Sequence, residues 1–124
     1  MDKNIIIIDD SNSIRKMVEF TLKTKGYNVT TACDGQEGLD KLREKSHQLI
    51  ILDINMPRVD GFKFLETVKG YEDCRKIPVV MLTTEGQDED REKALKLGAR
   101  DYMVKPFKPT ELIEKVKQIL SNDG

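Results

Sequence analysis

Asp53 follows Leu49-Ile50-Ile51-Leu52, four aliphatic residues that run straight into one acid. A run of this kind, closed by turn signals at Met56-Pro57 and Asp60-Gly61, reads as a strand buried on both faces of a parallel sheet. A carboxylate at the tip of such a strand is desolvated unless something pairs with it. In open α/β sheets the carboxyl ends of the strands are also where ligands bind. Other apolar runs end the same way. Asp9-Asp10 follows the isoleucines Ile5 to Ile8, Thr83 follows Val79-Val80-Met81-Leu82, and Lys105 follows Asp101-Tyr102-Met103-Val104.

Three carboxylates converging on one crevice repel one another unless a cation binds. Oxygen ligands with no His or Cys beside them point to Mg²⁺ rather than zinc. An ion held by few protein ligands keeps positions open for phosphate oxygens. Lys105 would add a mobile positive charge and Thr83 a hydroxyl, enough to bind the remaining oxygens of a phosphoryl group. An Asp carboxylate can take up that group as a nucleophile, in a transfer that depends on positioning and charge neutralisation. The set reads as an aspartyl-phosphate site with Asp53 as acceptor. Singly, each residue has a plain structural reading: a strand-end cap, a turn threonine, a surface Lys-Pro. Their occurrence in order at four strand ends carries the inference.

The elements that must position these residues alternate regularly. A strand over Asn4 to Ile8 precedes a helix from Ser11 to Lys25, with Ile14, Met17, Val18, Thr21 and Leu22 on one stripe and Gly26 to end it. Phe20 lies off that stripe; the simplest place for its ring is against a neighbouring loop, and the alternative is an exposed contact for a partner. Asn28 to Ala32 is a short β-branched strand. Asp34, with Glu37 three residues on, starts a second helix. Gly61 to Lys69 is a third, with Phe62, Phe64, Leu65 and Val68 turned inward. Asp88 to Leu97 is a fourth, acidic first and basic last, with Gly98 to end it. Pro109 opens the fifth, whose stripe is Leu112, Ile113, Val116, Ile119 and Leu120. Five βα units predict an α/β fold, a doubly wound, five-stranded parallel sheet of flavodoxin-like (βα)5 type. Strand two carries no evident chemistry, which suits an edge. The strand ends then fit the order 2-1-3-4-5, an arrangement already known, with the crevice between strands one and three.

Composition narrows the function classes. A chain of 124 residues fits one domain over 1–124 with a real core. Hydrophobic residues at 38% and charged residues at 35% describe a globular chain with a charged surface. A net charge of -1 offers no nucleic-acid footprint, and no apolar run approaches membrane-spanning length. No signal peptide is evident, so a cytoplasmic location is expected. Cys33 and Cys74 read as two reduced thiols. His47, the only histidine, lies in a polar linker and is expected at the surface.

With those residues in place, the sequence closely resembles the receiver domain of two-component response regulators, the CheY-like family. The match rests on Ile8-Asp9-Asp10, on Asp53 with Met56-Pro57 and Asp60-Gly61, on Thr83, on Gly98-Ala99 and on Lys105-Pro106-Phe107. The resemblance implies that Asp53 accepts phosphate from a phosphohistidine on a sensor histidine kinase or a histidine phosphotransfer protein. It implies that Asp10 and Asp53 bind Mg²⁺ directly, Asp9 through water, with the main-chain carbonyl of Asn55 completing the protein's share. Thr83 and Lys105 should bind the phosphoryl oxygens. Thr83 and Tyr102 hold the positions of the family's coupled switch. Asn55 and Glu85 hold those that tune hydrolysis, and Thr84 is bulkier than the Ala of many relatives, restricting access. A cis Lys105-Pro106 bond is implied too.

Such a protein is a phosphoacceptor switch rather than an enzyme with an external substrate. No output domain is expected after the last helix. Its output should be binding, as a monomer, to a downstream protein through helix four, strand five and helix five, with kinases docking near Ile14 and Met17. A chemotaxis regulator acting on a flagellar motor component is favoured, and a phosphorelay intermediate or phosphate sink would look much the same. Phosphatases of the haloacid dehalogenase type share the Asp, Mg²⁺, Thr and Lys, but need a second Asp two residues after the nucleophile on the first strand. A flavodoxin-like cofactor binder would not place an acidic pair against a flavin phosphate. A phosphorylation-independent adaptor would not need the intact set of acids, Thr and Lys.

Overall fold

The computed structural model of the chain describes residues 3–56, 60–84 and 88–123. Strands and helices alternate: β1 Asn4–Ile8, α1 Asn12–Lys23, β2 Asn28–Ala32, α2 Gly35–Glu44, β3 Leu49–Asp53, α3 Gly61–Gly70, β4 Val79–Thr84, α4 Asp88–Lys96, β5 Asp101–Lys105 and α5 Pro109–Asp123. All strand pairs are parallel. Their order is β2-β1-β3-β4-β5, the doubly wound order expected from the strand ends.

The aliphatic runs explain the centre of the sheet. Period-two alternation sends Ile5, Ile7, Leu49, Ile51, Val80 and Leu82 to one face, where Val18 and Leu22 of α1 and Leu112, Val116 and Ile119 of α5 cover them. Ile6, Ile8, Ile50, Leu52, Val79 and Met81 face the other way, onto Leu42 of α2, Phe64, Leu65 and Val68 of α3 and Ala94 of α4. Only Ala32 of β2 is buried, as its polar, β-branched sequence and edge position require.

Helix starts follow from side-chain capping. Ser11 Oγ accepts from the Ile14 N–H, Asp34 Oδ1 from Glu37 and Asp60 Oδ1 from Lys63. Glu37 reaches back to the N–H of Cys33, one residue before the cap. Gly98 adopts φ 106°, the left-handed conformation that ends α4 without strain. Strands β4 and β5 run further than the sequence suggests, so Thr83, Thr84 and Lys105 lie inside strands rather than after them.

Two placements differ from expectation. His47 is buried at 4% exposure, not at the surface. Its linker is already part of the sheet layer: Gln48 N–H donates to the Asn4 carbonyl, Gln48 Oε1 accepts from Asn4 N–H, and the imidazole Nε2 lies 3.2 Å from Thr30 Oγ1. Burial lowers its pKa, and the charge of Lys45 adds to the effect. Phe20 is 61% exposed on α1, so most of its ring is not covered by a neighbouring segment. Ile14 and Met17 are half-buried against the α1–α5 core, and Cys33 and Cys74 are both free thiols. Pro57 and Glu85 lie outside the described residues.

Candidate functional site

β1 and β3 are neighbours, and their chains leave in opposite directions, β1 towards β2 and β3 towards β4. A crevice opens where they part. Asp9 is the first residue beyond β1 and is fully buried, Asp10 beside it is exposed, and Asp53 ends β3 at 3% exposure. One carboxylate oxygen from each lies within 4.8 Å of the others.

Lys105 reaches into this cluster from β5. Its Nζ stands 2.9 Å from Asp9 Oδ2 and 3.3 Å from Asp53 Oδ1. The contact with Asp9 is an ion pair without hydrogen-bond alignment. The other Asp9 oxygen accepts from the Ser11 N–H at 2.8 Å, and Asn55 N–H donates to Asp53 Oδ1 at 3.3 Å. Burial, and then the charge of Asp9, push the Asp53 carboxyl up to about 6 against the opposing pull of Lys105 and the Asn55 N–H. Burial alone would lower Lys105, but its close pairing with Asp9 and the charges of both aspartates outweigh that and raise it.

Three carboxylates and one ammonium leave the crevice with excess negative charge. The donors are hard oxygens, and no other group of three His, Cys, Asp or Glu ligands clusters among the described residues. This donor set fits a divalent cation of the Mg²⁺ kind.

The other expected residues sit around this cluster at different depths. Thr83 is buried, one residue past the β3–β4 register pair Asp53 and Leu82. Its hydroxyl donates a long 3.5 Å bond to the Met103 carbonyl. Asn55 is exposed, and its side-chain amide donates to Thr84 Oγ1 at 3.4 Å. Tyr102 is further away, opposite Met81 in the β4–β5 register and half-buried against the core under α3 and α4. The Lys105-Pro106 bond is cis.

Arg15 and Arg91, which sequence reasoning passed over, and Gly61, read only as part of a turn, make contacts in and around this arrangement. Arg15 Nη1 donates to the Asp9 carbonyl at 2.7 Å. Its place in α1 predicts only a solvated cation, since the bond joins a side chain to backbone outside the helix. A Cβ on Gly61 would come within 2.5 Å of the Asp53 carbonyl oxygen, so only glycine lets α3 abut the end of β3. Asp60-Gly61 signalled a turn without revealing that contact. Arg91 of α4 lies over the Tyr102 ring, its guanidinium carbon 5.6 Å from the centroid. A cavity of about 830 Å³ between the ends of α2 and α3 is lined by none of the crevice residues.

Comparison with known proteins bears on the same residues. The response regulator receiver domain model matches residues 5–117. The alkaline phosphatase synthesis transcriptional regulatory protein PhoP of Bacillus subtilis is 38% identical over 120 residues, which is 97% of this chain and 49% of that protein. The phosphate regulon transcriptional regulatory protein PhoB of Escherichia coli is also 38% identical, over 97% of this chain and 52% of that protein. The chain thus spans about half the length of these curated relatives. Among solved structures, the Vibrio cholerae chemotaxis response regulator CheY4 superposes with a TM-score of 0.91 at 38% identity, covering 96% of this chain and 99% of that one. The receiver domain of NtrX from Brucella abortus gives 0.89 at 32% identity, covering 94% and 98%.

Proposed function

The chain belongs to the response regulator receiver domain family of two-component signalling, and on that premise we propose that it is a phosphorylation-driven switch whose acceptor is Asp53. The observation that carries this is the buried Asp53 carboxylate with an ammonium 3.3 Å away and two further carboxylates beside it. The donor is a phosphohistidine on a sensor histidine kinase or histidine phosphotransfer protein. An Asp53 oxygen forms the new bond to phosphorus as the bond from phosphorus to the donor imidazole nitrogen breaks, and the electron pair leaves with the imidazole. With a carboxyl pKa of about 6, Asp53 is ionised at neutral pH and more basic than an ordinary carboxylate.

When bound, Mg²⁺ supplies charge neutralisation for the phosphoryl oxygens, and Asp10, Asp53 and the Asn55 carbonyl would hold it, with Asp9 acting through water. Lys105 exchanges its pairing with Asp9 and Asp53 for the phosphoryl oxygens. Thr83, bound to Met103 by a long hydrogen bond, turns its hydroxyl towards them. Tyr102 follows Thr83 in a two-state equilibrium biased by these charge-assisted bonds. Asn55 and Glu85 tune hydrolysis, and the Asn55–Thr84 contact narrows the approach for water.

The finer reading is a chemotaxis-type regulator acting on a partner protein such as a flagellar motor component, supported by the near-complete cover of CheY4. The half-length match to PhoP and PhoB supports a second reading, a receiver serving a transcription-regulator output. Among the described residues no helix is long and apolar enough to cross a membrane.

The test is intact mass after incubation with Mg²⁺ and acetyl phosphate. One phosphoryl adduct is expected, missing from Asp53→Asn and from protein treated with chelator. No adduct, together with no beryllofluoride binding, would remove the phosphoacceptor reading. Titration of the beryllofluoride-activated chain against a purified flagellar motor switch protein then decides the partner: unchanged affinity on activation would discard the chemotaxis reading.

A further inference from the structure

α4 is the most loosely anchored helix beside the crevice, with Ala94 its only fully buried residue. Glu89, Glu92 and Lys93 on it are exposed. Arg91 behaves differently. Its side chain is 22% exposed and its guanidinium lies over the Tyr102 ring, 5.6 Å from the centroid. Its ion-pair partner, Asp88 Oδ1 at 2.7 Å, belongs to a side chain that is 86% exposed, so solvent screens that pair. Arg91 Nε is wholly buried and has no acceptor. An unpaired buried N–H on a cation is unfavourable. The guanidinium therefore sits inward over Tyr102 although its Nε is left unpaired there.

We propose that Arg91 is a latch on Tyr102. Its guanidinium fixes the ring in the half-buried position beneath α4, and the ring can turn towards Thr83 only when the guanidinium lets go. The proposal rests on the switch role given above to Thr83 and Tyr102. Release lets water reach Nε, which offsets the lost stack and keeps the two positions close in free energy. A cation over an aromatic face at a partly exposed site biases such an equilibrium by about five-fold. Arg91 is thus a positioning residue: it touches neither phosphoryl group nor metal and acts through Tyr102.

The full chain labelled with 3-fluorotyrosine tests this by ¹⁹F NMR. It has three tyrosines, and Tyr102→Phe assigns the relevant resonance. Wild type, Arg91→Ala, Arg91→Lys and Asp88→Ala are each measured with Mg²⁺ alone and with Mg²⁺ and beryllofluoride, whose own ¹⁹F signal reports binding. In wild type, beryllofluoride should shift the Tyr102 resonance. In Arg91→Ala that resonance should already be displaced in the same direction without beryllofluoride, while Tyr27 and Tyr71 stay put and show that the fold is intact. Acetyl phosphate should label Arg91→Ala about five-fold faster. Arg91→Lys, which keeps the charge and loses the broad guanidinium, should fall between. Asp88→Ala should leave Tyr102 in place, and a displacement there as large as in Arg91→Ala would assign the effect to helix charge and overturn the latch. If beryllofluoride moves Tyr102 in wild type but free Arg91→Ala matches free wild type, the latch alone has failed. If beryllofluoride binds and Tyr102 of wild type does not move, the switch role of Tyr102 has failed and the latch with it.

Discussion

Burial and charge act in opposite senses on Asp53 and His47, and that separates their pH effects. The folded-state pKa of Asp53, about 6, lies above its ordinary 3.8, so ionisation is harder in the folded chain. The resulting penalty is absent below pH 3.8, grows as pH rises to about 6 and is then constant. Asp53→Asn removes it. The metal-free variant should gain about 3 kcal/mol at neutral pH and almost nothing near about pH 3.5, measured by urea unfolding at both values. Equal stability at neutral pH would mean that Asp53 is not under strain. His47 is a base whose pKa burial holds below its ordinary 6.5. Its contribution is complete above pH 6.5 and is lost as pH falls towards the folded-state value, because the unfolded chain takes up the proton first. In the Asp53→Asn background, where the opposing trend is gone, His47→Gln should flatten the loss of stability on the acid side of pH 6.5. An unchanged slope would place the titration elsewhere. The acids, Thr83 and Lys105 were legible one by one, since each ends an apolar run. The burial of His47 was not, since its own neighbours are polar and its contact with Thr30 comes from a strand 17 residues earlier.

At the scale of elements, the joint between β3 and α3 is the tightest part of the site. Gly61 N–H donates to the Ile54 carbonyl at 2.8 Å, and the missing side chain lets the helix start sit on the backbone of Asp53 and Ile54. Gly61→Ala should lower stability by about 1–3 kcal/mol, because backbone atoms rather than a flexible side chain must give way. It should also weaken beryllofluoride binding, since the same displacement moves Asp53. Thermal unfolding and a binding titration check the two effects together. Loss of stability with unchanged binding would show that the strain is relieved away from Asp53. Helix starts were the most legible part of the chain, because a cap is a local event: Asp34 and Glu37 announce theirs within four residues. Strand ends were less so. β4 and β5 continue past the last aliphatic residue because Thr83 with Val104, and Thr84 with Lys105, still pair across the sheet.

The whole molecule is two apolar layers on the faces of one sheet, and its stability should be graded accordingly. β1 and β3 are paired on both edges and covered on both faces, whereas β2 is paired on one edge and mostly half-exposed. Amides of Ile6, Ile7, Ile50 and Ile51 should therefore exchange only through global unfolding, and those of the β2 strand faster. Hydrogen exchange followed residue by residue checks this, and equal protection across β2 and β3 would contradict it. Phe64→Ala, which empties a ring site in the α2–α3–α4 layer, should cost about 3–5 kcal/mol by denaturant unfolding. A cost below about 1 kcal/mol would mean that the layer collapses into the space.

The sequence by itself determined the element types, their order and the layering, because apolar periodicity and capping residues act over a few positions and report directly which face is buried. It also placed chemically able residues at the strand ends and, through the strand that had none, indicated the sheet order. Only the tertiary structure decided which groups share the crevice at contact distance: Lys105 between Asp9 and Asp53, Arg15 on the Asp9 carbonyl, Gly61 against β3. It alone set Arg91 on Tyr102 and enclosed His47. Apart from the short bond from Arg15 in α1 to the Asp9 carbonyl, each of these contacts joins residues from separate segments. Their distances follow from how helices settle on a twisted sheet, and no periodicity within one segment carries that information.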